Sequence, residues 1–184
     1  MNKTWLLEYF FILVIIQFSG NVHAKQLDQL LKKELTQIAI SFFTAYEPQN
    51  QSIEQAIVMA IEPFTKTDDF IMVIDGRDLG NNQDWNNIVP KSMKRQYEEV
   101  KSATHPIETV TFIRLSDNLA TLNILYRTYY SMQNGEQGFQ DAVVYMIFRK
   151  EENSWRIIQY IGSHFGKEHI TQKATTSDLD KISH

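Results

Sequence analysis

Four long runs rich in Val, Ile, Thr, Tyr and Phe, over residues 107–115, 119–132, 139–149 and 155–165, constrain this chain more than any other feature. β-Branched and aromatic side chains suit the pleated surface of a strand. The links between the runs are short. Ser116-Asp117-Asn118 is a tight connection, Asn134-Gly135 is a strong hairpin signal, and Glu151 to Ser154 is a further turn. Consecutive strands joined this way form an antiparallel meander. The longest run, 119–132, far exceeds the common strand length of about five or six residues, so the sheet must twist and curl.

A curled sheet has a concave face that needs a cover, and the residues before it supply helices. Leu27, Leu30, Leu31, Leu35, Ile38, Phe42 and Tyr46 recur at three- and four-residue steps over 25–47, and Pro48 ends that helix. Ser52 stands three residues before Gln55, a capping-box spacing, and opens a short helix to about Ile61. Phe70 to Ile74 reads as a short buried strand followed by an Asp75-Gly76 turn. Trp85, Ile88, Val89, Met93, Tyr97 and Val100 predict a third helix through about Ser102, starting near Val89 if Pro90 is to lie in its first turn. Helices followed by a curled antiparallel sheet make an α+β class.

The strands are apolar on both faces. Ala142, Val144, Met146 and Phe148 alternate with Val143, Tyr145 and Ile147. A sheet with one wet face alternates more cleanly, so the outer face is expected to pair with a second copy as a homodimer.

The ends of the chain differ from its middle. Lys3 precedes an apolar run from Trp5 to Phe18 in which Glu8 is the only charge, and Val22-His23-Ala24 closes it with a small-x-small pattern. Residues 1–24 therefore read as an export signal, and the expected location is periplasmic or secreted. A membrane association would follow only if that segment stayed uncleaved. Residues 25–166 form the domain, and residues 167–184 read as a polar, mobile tail. The chain has no cysteine, which excludes disulfides, thiol nucleophiles and zinc–thiolate sites. A net charge of −4 gives no electrostatic footprint for nucleic acid. No pair of histidines has helical ligand spacing, so no metal and no cofactor are expected.

The order helix, helix, short strand, helix and four long strands resembles the nuclear transport factor 2-like superfamily, and within it the SnoaL-like group. Asp117-Asn118-Leu119-Ala120-Thr121-Leu122 at a strand start, and Asn153-Ser154-Trp155-Arg156-Ile157-Ile158 opening the last strand, carry the likeness over about residues 30–165. The resemblance implies a cone-shaped curved antiparallel sheet covered by the N-terminal helices, a cystatin-like architecture, with a pocket between the first helix and the sheet. Relatives of this kind often dimerise through their sheets and include isomerases, dehydratases and binding domains. Its catalytic members place acid–base residues inside the cone. Many SnoaL-like sequences have a histidine six residues after the tryptophan. That position is Ile161 here, while the serine two residues later is present as Ser163.

With unbroken strand alternation, Leu122, Ile124, Tyr126, Val144, Met146, Gln159, Ile161 and Ser163 line the cone. Tyr46 on the covering helix and Tyr130, which shares the parity of Tyr126, add phenolic groups that could orient a ligand. The ligand-pocket set is then Tyr46, Tyr126, Tyr130, Met146, Gln159, Ile161 and Ser163. The same alternation sends His164 to the outer face. His105 before Pro106 reads as a loop residue, and Arg127 and Asp141 as a structural ion pair on the outer face. Asp75 reads first as a turn former and second as a catalytic base raised by an apolar pocket. A cone so poor in acid–base groups favours non-catalytic binding of a small apolar or amphipathic ligand. The alternatives are a small isomerase or dehydratase using Asp75 with a pocket tyrosine, and a protein-interaction module acting through the sheet face.

Overall fold

The computed structural model of the chain describes the backbone of residues 25–170 and the side chains of residues 25–166. The export signal expected over residues 1–24, and the tail after Ile170, lie outside the described residues. Helix α1 spans 25–44 and α2 spans Ile53–Ile61. Then follow β1 (Ile71–Ile74), β2 (Arg77–Asp78), α3 (Asn82–Glu99), β3 (Val100–Thr104), β4 (Ile107–Arg114), β5 (Leu119–Met132), β6 (Gln137–Glu151) and β7 (Ser154–Ile170). The fold is an α+β cone, a curved unclosed sheet covered by three helices.

The sheet runs β2-β1-β7-β6-β5-β3, with β4 sharing the β5 edge. Every pairing is antiparallel except β1 with β7, which is parallel, so the sheet is mixed. That pairing brings a strand from between the helices onto the far edge of the meander. A reading of hairpins alone does not reach it.

Three boundaries differ from the sequence expectation, each for a local reason. Helix α3 starts at Asn82, because Asn81 and Asp84 form a capping box there, and Pro90 lies inside it. The stripe of Trp85, Val89 and Met93 is fully packed, which holds the helix together across the missing proline N–H. The chain leaves that helix at Val100 and extends as β3, whose pairing with the far end of β5 outweighs the helical spacing of Tyr97 and Val100. Finally, β7 continues to Ile170, opposite Gln137, so the first four residues expected in the tail belong to the sheet.

The core lies between α1 and the concave face. Ala120, Leu122, Ile124, Val144, Met146 and Phe148 are completely or almost completely buried. Phe42 of α1 packs edge-on against Phe64, Tyr46 and Tyr160 and tilts against Trp85, whose indole N–H donates to the Ala60 carbonyl at 3.2 Å. The helix is also tied to the sheet margin, with the Lys32 ammonium donating to the Val110 carbonyl at 3.0 Å.

Phe42 therefore joins helix, sheet and the α2–α3 layer. Phe42→Ala is expected to lower unfolding free energy by about 3–5 kcal/mol, measured by urea denaturation followed by far-ultraviolet circular dichroism.

Candidate functional site

An extra residue in β7 determines what the cone contains. Ile147 pairs with Gln159, but its neighbour Phe148 pairs with Ile157, leaving Ile158 as a bulge. Beyond it the alternation is inverted. Tyr160, Gly162 and His164 stand opposite Met146, Val144 and Ala142 on the concave face. Ile161 and Ser163 point outward and are exposed, and Gln159 is only half-buried. Their expected place in the pocket is thus corrected by one inserted residue, and so is the expected outward position of His164.

A cavity of about 270 Å³ lies above this face, and Gly162 makes room for the Tyr160 ring that enters its wall. Helix α1 contributes Phe42 and Phe43 to its wall, and Tyr46 enters from the turn after it. Trp85, Ile88, Ser92 and Gln96 come from α3, and Ile74 and Leu79 flank it around β1 and β2. The sheet supplies Tyr126, Thr128, Gln140, Tyr160 and His164, and His105 enters from the β3–β4 junction. Of the residues expected at the pocket, Tyr46 and Tyr126 line it. Met146 is packed into the floor of the core with no exposure, and Tyr130 lies further along the inner face, opposite Gly138 and Ala103, outside the lining.

Asp75 occupies the turn between β1 and β2, where it and Gly76 both have left-handed backbones, with φ of 52° and 75°. Two such residues in a row suit the right-handed twist of a tight hairpin. The parallel pairing of β1 with β7 continues as Asp75 N–H donating to the Gly162 carbonyl at 2.9 Å. This sets the Asp75 carboxylate beside His164. It accepts from the His164 backbone N–H at 2.8 Å, and its other oxygen lies 3.0 Å from His164 Nδ1. These two hydrogen bonds hold the Asp75 carboxyl below its ordinary range, against a smaller opposing effect of burial and with some help from Arg77. The raised pKa expected for Asp75 is therefore reversed. Asp75 is an ionised orienting group. Nδ1–H of His164 donates to it, which leaves Nε2 as the ring nitrogen available to a ligand.

A second imidazole–carboxylate pair closes the opposite side. His105 Nδ1 lies 3.1 Å from Glu47 Oε1, which also accepts the His105 backbone N–H at 3.1 Å. Both side chains are largely buried, at 9% and 13% exposure. Burial lowers the His105 pKa, and Glu47 works in the opposite direction. Phe43 stacks on the ring, and Tyr126 is tilted beside it.

Three phenols lie between the pairs. Burial pushes the Tyr126 hydroxyl up to about 12, with Tyr160 as a hydrogen-bond donor to it pulling the other way. Tyr160 and Tyr46 are raised further, first by burial and then by their proximity to Tyr126. All three are neutral donors at physiological pH. No Lys or Arg lines the cavity, and among the described residues no cluster could hold a metal ion.

A larger open groove of about 670 Å³ lies on the other side of α1, against α2 and the β6–β7 turn. It holds no imidazole and no tyrosine, so the acid–base chemistry is gathered in the cone. The expected outer-face pair is present as Arg127 Nε to Asp141 Oδ1 at 2.6 Å, with the guanidinium 4.3 Å from the Phe139 ring centroid.

No protein-family model and no curated protein matches the chain. Solved structures do. A hexachlorocyclohexane dehydrochlorinase, LinA-type3, from Novosphingobium barchaimii LL02 superposes with a TM-score of 0.62 at 9% identity, covering 80% of this chain and 95% of that one. A nuclear transport factor 2-like superfamily protein from Salmonella enterica serovar Typhimurium LT2 gives 0.60 at 12% identity, covering 78% and 97%. A ketosteroid isomerase-like protein from Erwinia carotovora atroseptica SCRI1043 gives 0.53 at 17% identity, covering 73% and 95%. The class defined by strand order and cone is an α+β domain with a helix-covered curved sheet. More particularly, the chain has the nuclear transport factor 2-like fold.

The lowered Asp75 value has a measurable consequence. The folded state releases the Asp75 proton more readily than the unfolded chain, so the pair stabilises the fold above the ordinary carboxylate range, near pH 4. That contribution is lost as pH falls through the folded-state value. Asp75→Asn is expected to be less stable than the parent at pH 6 and to converge with it in acid, as read from urea midpoints across pH.

Proposed function

We propose that this domain binds a small oxygen-bearing molecule in the cone cavity and moves a proton on it, with His164 as the base. This is chemistry of the isomerase or dehydratase kind. The observation that carries the reading is the Asp75–His164 pair set on the wall of a cavity that also holds the Tyr126–Tyr160 hydroxyls. His164 Nε2 takes a proton from a carbon next to the ligand carbonyl. The C–H electron pair becomes the new C=C bond, and the carbonyl oxygen takes up the negative charge. A tyrosine hydroxyl donates to that oxygen, which is where charge develops. Asp75 holds the imidazole tautomer and stabilises the imidazolium that forms. His105, backed by Glu47, offers a second proton acceptor that orients a ligand hydroxyl from the opposite wall. The Trp5–Phe18 run supports a setting outside the cytoplasm.

The test uses 2-tetralone, a ketone of suitable size, in deuterium oxide. The protein is expected to accelerate exchange of its α-hydrogens, followed by proton nuclear magnetic resonance, and His164→Asn to lose about 10²–10⁴-fold of that acceleration. Exchange at the buffer rate, with the ketone bound, would make the domain a binding protein without catalysis.

A second reading concerns the outer face. Tyr145 and Ile161 are register partners there, 38% and 39% exposed, beside half-buried Val143 and Ile147. Arg127 and Asp141 neutralise one another on the same face, so covering it strands no charge. We propose that a second copy of this chain covers it. Sedimentation is expected to find a dimer for the parent and a folded monomer for Tyr145→Asp.

A further inference from the structure

We infer that the cone cavity selects an uncharged ligand and rejects carboxylates. This rests on the cavity being a ligand site, as proposed above, and adds the chemical class of what it takes. The charges that reach the space are all of one sign on its two sides. No lysine or arginine contributes to its wall, and Arg77, which acts on Asp75, stands outside it. Two carboxylates, Asp75 and Glu47, stand directly behind the two imidazoles on opposite sides. The potential inside is therefore negative. Asp75 acts in the same sense on the phenols, adding to burial in making Tyr126 and Tyr160 harder to ionise. An anionic ligand would meet the same repulsion as a tyrosinate.

Neither carboxylate lines the cavity itself, so a cation finds no direct ionic partner on its wall. The polar atoms that line the space are mainly hydroxyl, amide and imidazole groups, which suit a neutral carbonyl or hydroxyl. Both carboxylates already accept hydrogen bonds from histidine backbone and ring. Size follows from volume. Benzene filling a cavity of about 150 Å³ implies that 270 Å³ holds roughly 11 non-hydrogen atoms, one ring with a substituent or two fused rings. The walls of Phe42, Phe43, Trp85 and Ile88 suit such a flat apolar body.

The test is a set of compounds of matched size and different charge, titrated calorimetrically into the intact protein. The neutral probes are 2-tetralone and 2-naphthol, the anion is 3-phenylpropanoate and the cation is 2-aminotetralin. Both neutral compounds are expected to bind at least about tenfold more tightly than the anion. Anion binding within that margin, a preference for the amine, or no binding by the neutral pair overturns the inference. A gain-of-function variant separates field from shape. Gln140→Lys places an ammonium on the cavity wall and is expected to improve 3-phenylpropanoate binding by about tenfold while circular dichroism stays that of the parent. An unchanged anion affinity in the folded variant overturns the electrostatic cause. Failure here is distinct from failure of proton transfer. Neutral-selective binding without deuterium exchange removes the catalytic reading alone, and exchange accompanied by equal carboxylate binding removes the selectivity alone.

Discussion

The pairing of β6 with β7 around Ile158 decides which chemistry this cone holds. One residue without a partner turns the remainder of β7 over, so that a strand which would show Gln159, Ile161 and Ser163 to the cavity shows Tyr160, Gly162 and His164 instead. A side-chain period of two makes such a shift absolute. The parallel strand β1 then docks against the inverted segment, Ile74 opposite Gly162, and delivers the Asp75 turn to His164. Neither half of the pair would meet the other without the bulge, because the unshifted strand carries His164 to the opposite side of the sheet.

The meander was legible from composition and turns because local signals determine it. Asn134-Gly135 lies in the β5–β6 turn, and the long β-branched runs bound β4, β5, β6 and most of β7. The inner-face assignments of Leu122, Ile124, Tyr126, Val144 and Met146 follow from strict alternation and hold wherever no bulge intervenes. The candidate site was less legible because it depends on non-local choices. Nothing in the string Ile157-Ile158-Gln159 marks which residue is left unpaired. Gly162 and Gly166 are the available hints, since glycine inside a strand often marks a bulge or a close approach. Here Gly166, with φ of 59°, lies at the second register break of β7, and a Cβ on Gly162 would come within 3.0 Å of the Tyr160 ring. His105 was hidden for a related reason. Its carboxylate partner, Glu47, is 58 residues away at the end of the covering helix, a contact made by packing rather than by spacing.

Both imidazoles stand where the sheet is irregular. His105 lies between β3 and β4, where the edge of β5 exchanges one partner strand for another, and β5 pairs with both at shifted registers. His164 lies between the two register breaks of β7, next to the strand edge that β1 completes. A regular strand gives every inward residue the same apolar surroundings. A break frees backbone groups and redirects side chains, and so lets His105 enter the packed core and His164 stand at the solvent-accessible rim of the cavity. The backbone N–H of each histidine is used in this way, as a donor to the carboxylate that also holds its ring.

That double use makes the two pairs differ from ordinary surface ion pairs. An exposed carboxylate and imidazole held by side-chain contact alone lose their geometry to rotamer entropy and solvent screening. Here each carboxylate is anchored by a main-chain donor as well as by the ring, so its orientation follows the sheet. The cost falls on the cavity. About 270 Å³ is left unfilled above the sheet, and the Tyr160 hydroxyl donates to Tyr126 beside it. A core optimised for stability alone would fill such a space, since unfilled volume forfeits dispersion contacts. Two anchored acid–base pairs facing an unfilled cavity with no Lys or Arg on its wall form an arrangement whose open volume costs packing and suits it to holding a neutral molecule at a proton acceptor. That coincidence is the physical argument for function here, because the fold alone is compatible with many.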